Sequence, residues 1–181
     1  MEDDFTKLVH DLNALENKLQ VVWGEMAVPS EQSFESFFYS DYEYLEFEEV
    51  FLHSRFDAFP WYTSEGTPVW TVLSYMPLSP RTYYLAGYIL HFIVKCREWI
   101  ECKDGPLSSA NREYPLIELS DVTLVSNLLD QEYVELVRRY NSQVHQFLHD
   151  LADFFIQYKS MMSLDDKELI GMRVLYGLGN G

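Results

Sequence analysis

Leu78–Trp99 reads LSPRTYYLAGYILHFIVKCREW, and its pattern decides the fold class. Ser79 can cap a helix, and Pro80 can take the first helical position, where its missing N–H costs nothing. Behind them Leu85, Ile89, Phe92, Cys96 and Trp99 recur three or four residues apart, the spacing of one helix face. Tyr84, Tyr88 and Leu90 widen that face, and Ala86 and Val94 flank it. Only a narrow stripe of Gly87, His91, Lys95 and Glu98 stays polar. A helix that is apolar around most of its girth belongs inside a bundle of other helices. The expectation is a mainly α protein: a single-domain helical bundle over residues 1–181, with this helix buried at its centre. Its apolar run is too short for a bilayer, which takes about 20 residues.

Upstream, residues 1–26 read as an N-terminal amphipathic helix. Within Asp4–Trp23, Phe5, Leu8, Leu12, Leu15, Leu19 and Val22 alternate spacings of three and four, a coiled-coil-like seam. Fewer than three heptads favour packing onto the domain, and a homodimer through this helix is the other use of the seam. Asp41–Phe56 reads as a second helix, with Tyr42, Phe47, Val50, Phe51 and Phe56 as a partial apolar face. Residues 68–73, Pro-Val-Trp-Thr-Val-Leu, predict one short strand or an extended segment. Trp61 and Trp70 suit either core plugs or interface anchors.

Downstream, residues 103–109 form a surface loop by composition. Leu116–Leu129 is a short helix or turn. Asp130 caps a long helix over Gln131–Met161. Ser163–Asp166 resembles a capping box with Asp in its last place, opening a final helix that Gly177 stops after Tyr176. Residues 178–181 read as a flexible tail.

The net charge is −16 and unevenly spread. In residues 1–50 thirteen acids face only Lys7 and Lys18, a net −11, while sixteen acids and eleven bases leave −5 in the remainder. Such a chain is repelled by nucleic acid and by anionic membranes and attracted to basic protein surfaces. The densest group is Asp41, Glu43, Glu46, Glu48 and Glu49. On a helix, Glu43, Glu46 and Glu49 are neighbours, and each like-charge pair there costs about 0.2–0.5 kcal/mol. A basic partner would relieve that repulsion, so these five acids are the candidate partner-binding residues.

Catalytic and metal motifs are scarce. His145 and His149 lie four apart on a helical pattern, a possible two-ligand face, but Gln146, Phe147 and Leu148 between them are not the metalloprotease arrangement. Asp150 and Asp153 are the nearest further donors. His91 is the one candidate general base, on the polar stripe of the central helix. There is no GxSxG elbow and no phosphate-cradling glycine loop, so neither cofactor nor metal is expected. The start, MEDDF, lacks the basic-then-apolar pattern of a signal peptide. Cys96 and Cys102 suit free thiols in a reducing cytosol, and the expected location is cytoplasmic.

Trp70, Leu78-Ser79-Pro80 and Tyr83-Tyr84-Leu85-Ala86-Gly87-Tyr88 together resemble the W…LSP…YYLPAY core of an uncharacterised bacterial domain family, with Ala86 where the family has proline. Leu128-Leu129-Asp130-Gln131 and Val144–Leu148 are similar to the family's later helix, so the likeness covers roughly residues 42–155. No established activity or catalytic residue comes with it. The family's bacterial members, some in contexts suggestive of toxin immunity, imply a small, helix-rich cytosolic protein.

Two functions follow as expectations. The first is a non-enzymatic acidic protein that binds a basic protein partner, such as an immunity protein or a mimic of nucleic acid. The second is a small enzyme of unknown reaction with a pocket near His91.

Overall fold

Glu2–Trp23 winds into the first helix, α1. The fold is that of a computed structural model, which describes residues 2–35, 37–40, 42–52, 54–58, 60–104, 119–162 and 164–179. Leu8, Leu12, Leu15 and Leu19 of the seam are buried, and α1 lies against α4 (Leu78–Asp104) and α7 (Ser142–Gln157). Trp23, not Val22, completes the seam. Its Nε1 donates to the Thr82 carbonyl at 2.9 Å, and its ring meets Phe147 edge-on at 5.0 Å. The seam is therefore filled by the chain's own helices. Along its polar flank Lys18 pairs with Asp150 at 2.7 Å, and Arg97 bonds Glu16 and Asn13.

The central helix, α4, runs for 27 residues. It begins two residues before Pro80, since the Arg81 N–H already bonds the Pro77 carbonyl at 3.0 Å. Pro80 remains in the first turn, where no intrahelical N–H is needed. Every residue from Pro80 to Ile89 is buried, Gly87 included. The polar stripe is confined to the second half, where His91 and Lys95 are half-buried and Val94 and Glu98 are exposed.

A buried polar clamp fastens the start of α4 to the next two helices, α5 (Leu119–Leu129) and α6 (Gln131–Tyr140). Arg81 donates through Nε to Asn127 and through Nη2 to Asp130, each at 2.7 Å, and lies 4.0 Å over the Tyr133 ring. Asn127, fully buried, passes its amide protons to Ser74 and to the Thr123 carbonyl. Asp130 also caps α6 by accepting from the Tyr133 N–H. The Arg81 charge can stay inside because Asn127 and the half-buried Asp130 accept from it and the Tyr133 ring faces it.

Three sequence expectations are corrected in the C-terminal part: the long helix, the capping box and the tail. The long helix over 131–161 is broken at Asn141, whose backbone leaves helical geometry (φ −146°, ψ 88°) and whose side chain caps α7 through the Val144 N–H. A 3₁₀ turn, Lys159–Met161, then follows α7. The capping box is Asp165 with Glu168, which begins α8 (Asp166–Tyr176). Gly177 ends α8 in the left-handed conformation, φ 68°, and Leu178 is half-buried against the core, so the tail is anchored at its first residue.

Of residues 68–73 only Pro68 is extended. Tyr62 and Pro68 share a single bridge, and Val69–Tyr75 is a 3₁₀ helix; no strand occurs among the described residues. Val69, Val72, Leu73 and Met76 are buried at helical spacing against α4 and α5, so packing overrides their β preference. Asp41–Phe56 is not one helix either. After a 3₁₀ turn at Glu31–Phe34 and α2 (Phe37–Ser40) come a second 3₁₀ turn, Tyr42–Phe47, and a single α turn, α3 (Glu48–Phe51). The Tyr84 hydroxyl is shared between the Phe51 and Ser54 carbonyls, 2.9 Å from the latter, and replaces the helical partner that would have continued α3.

Buried residues from α1 through α8 form one continuous core. Among the described residues no helix is long and apolar enough to cross a membrane.

Candidate functional site

The segment 45–49 and the turn at 62–68 form two walls of an open cleft of about 920 Å³. One wall is Leu45–Glu49. The other is Ser64, Glu65 and Thr67 of the turn, continued by Thr71, Val72 and Tyr75 of the 3₁₀ helix. Among the described residues four carboxylates line it (Glu46, Glu48, Glu49 and Glu65), and none of the described lining residues is basic.

These carboxylates do different things. Glu46 is half-buried, and its Oε2 accepts from the Thr63 hydroxyl at 3.0 Å and the Thr67 hydroxyl at 2.8 Å. Glu48 accepts from the Tyr39 hydroxyl at 3.1 Å, and that bond with the carboxylate's charge raises the Tyr39 pKa. Glu49 and Glu65 are exposed and have no ion-pair partner among the described residues. Apolar surface accompanies the charge: Tyr75 is 67% and Leu45 37% exposed.

The turn that forms the second wall is locally determined. Gly66 sits at φ 89°, in the region glycine enters without strain. The Thr63 N–H bonds the Thr67 carbonyl at 2.9 Å, and the Thr67 N–H bonds the Thr63 hydroxyl at 3.0 Å.

A second groove, about 230 Å³, lies between α1 and α7 and is also acidic, with Asp11, Asp150 and Asp153. Its charges are differently placed, because Lys18 lines it and bonds Asp150. Burial pushes the Asp11 carboxyl up. Hydrogen bonds from Tyr158, Gln157, His10 and Lys7 outweigh that and hold its pKa at about 2.

Of the five acids singled out in the sequence, the structure brings Glu46, Glu48 and Glu49 together in the cleft. Asp41 lies outside the described residues, and of Glu43 the backbone alone is described. The sequence does not mark Glu65 and Tyr75 as site residues. The Ser64–Pro68 turn signals an exposed acid near Glu65, but nothing local brings it opposite Glu49. His91 does not line the cleft; its ring packs at a tilt against Trp61 with centroids 4.1 Å apart. His145 faces Tyr176 at 6.1 Å, and burial, with the charges of Arg138 and His149, lowers its pKa. Among the described residues no group of three or more His, Cys, Asp or Glu is arranged to hold a metal ion.

No family model, curated protein or solved structure matches the chain.

Proposed function

We propose that this protein is a non-enzymatic, cytosolic binder of a basic protein and that the acidic cleft receives the partner. The observation that carries the reading is the crowding of Glu46, Glu48, Glu49 and Glu65 around one open cleft that, among the described residues, no lysine or arginine lines. Clustered carboxylates steer a cationic surface to its site, and the pairs that lose water on contact set specificity. Tyr75 adds an exposed ring on which a lysine or arginine can rest. A nuclease-masking immunity protein and a mimic of nucleic acid are the concrete forms of this reading. Both need a rigid scaffold and a charged face, and neither needs a catalytic group.

The test uses octa-arginine as the probe. Glu49→Lys with Glu65→Lys is compared with Glu132→Lys and Glu135→Lys, the same charge change on α6. The cleft pair should weaken binding by about tenfold or more, and the α6 pair by about threefold or less, the scale of long-range charge alone. Equal losses from the two pairs would show that the probe senses net charge and would remove the cleft as the binding site.

A further inference from the structure

We infer that Glu46 is a positioning residue that latches the two walls of the cleft together, and that its role depends on accepting hydrogen bonds more than on its charge. The sequence presents Glu46 as one of three equivalent acids, with Glu43 and Glu49. The structure separates it from Glu49. Glu49 is exposed, whereas Glu46 turns inward from the 42–47 turn and its Oε2 takes both hydroxyls of the facing turn. Thr63 is buried, and its hydroxyl oxygen also receives the Thr67 N–H. One oxygen of Glu46 and one of Thr63 thus organise the whole reversal around Gly66.

The turn's backbone bonds include Thr63 N–H to Thr67, Gly66 N–H to Thr63 and Val69 N–H to Trp61. Its side-chain bonds to the facing wall, among the described residues, are those of Thr63 and Thr67 to Glu46. Without Glu46, two hydroxyls lose their acceptor and the turn loses its side-chain bonds to the wall that carries Glu48 and Glu49. The consequence for binding rests on the function proposed above; the latch itself does not.

The experiment measures hydrogen exchange at the amides of Thr63, Gly66, Thr67 and Val69 together with affinity for octa-arginine at several salt concentrations. Glu46→Gln removes one charge but keeps a carbonyl oxygen able to accept twice. Exchange in Glu46→Gln should match the parent, with affinity down by about twofold, the same as for Glu49→Gln. Glu46→Ala should speed exchange at the four amides by about tenfold, with affinity down by about tenfold, since a lost hydrogen bond to a charged group has that effect. Thr67→Val changes no charge and provides a second reading should Glu46→Ala fold poorly. It should speed the same amides without altering the salt slope. Equal exchange in Glu46→Ala, Glu46→Gln and the parent would overturn the latch while leaving the binding reading in place. A parent that ignores octa-arginine, with the exchange pattern as expected, would overturn the binding reading and leave the latch.

Discussion

The helical bundle and the acidic lobe that walls the cleft, residues 42–51 and 62–75, treat their carboxylates differently. In the bundle, carboxylates answer to cations and donors of neighbouring helices: Glu16 to Arg97, Asp150 to Lys18, Asp130 to the buried Arg81. In the lobe, Glu46 and Glu48 accept only from hydroxyls, and Glu49 and Glu65 face solvent. The backbone differs as well. The bundle is built of α-helices up to 27 residues long, and the lobe of 3₁₀ turns and one four-residue α turn. What this teaches is a division of labour. Packing and satisfied polar groups hold the bundle, while the lobe carries uncompensated negative charge that the bundle's stability permits.

Substitutions can break that division. The largest effect should come from Phe92→Ala, which empties a site between Phe154 and Phe155 in the core. A loss of about 3–5 kcal/mol is expected, seen as a fall of about 10 °C in the thermal midpoint followed by circular dichroism. Asn127→Ala comes next. It strands the Nε of Arg81 inside the clamp and should cost about 1–3 kcal/mol in urea unfolding. Glu49→Lys with Glu65→Lys should move stability by less than about 0.5 kcal/mol, because neither side chain is buried or paired. A cleft pair as damaging as Asn127→Ala would mean that the lobe is structural after all.

The acid limb of stability sharpens the comparison further. Asp11, Asp130 and Asp150 are each pushed up by burial and pulled further down by hydrogen bonds and neighbouring cations, and so lie below the ordinary value of 3.8. A carboxyl held down in the folded protein takes its proton less readily than in the unfolded chain. Its contribution is therefore complete above about pH 4 and is lost as the pH falls toward 2. Asp11→Asn should make the fall in stability over that interval shallower, measured as unfolding midpoints at stepped pH. An unchanged slope would remove Asp11 from the set.

Helical periodicity revealed most of the bundle, because long apolar stripes at Leu85–Trp99 and Leu8–Leu19 have no other use. The lobe was less legible. Its Val69–Leu73 run is β-branched, and only the contact with α4 and α5 makes it a 3₁₀ helix. Asn141 carried a usable signal, a capping residue followed by Ser142, but the apolar spacing continues through it and hides the break. In the site, Glu46, Glu48 and Glu49 stood out by crowding alone. That Glu46 faces inward, and that Glu65 and Tyr75 share its cleft, depends on a turn 17 residues and more away in sequence. No spacing rule reports such a contact.

The most direct test of the central claim is a titration of the ¹⁵N-labelled protein with octa-arginine, following amide chemical shifts residue by residue. The account predicts the largest changes at 45–49 and 64–75, with α6 and α8 nearly still. Changes concentrated on the groove of Asp11, Asp150 and Asp153, or spread evenly over the surface, would contradict it.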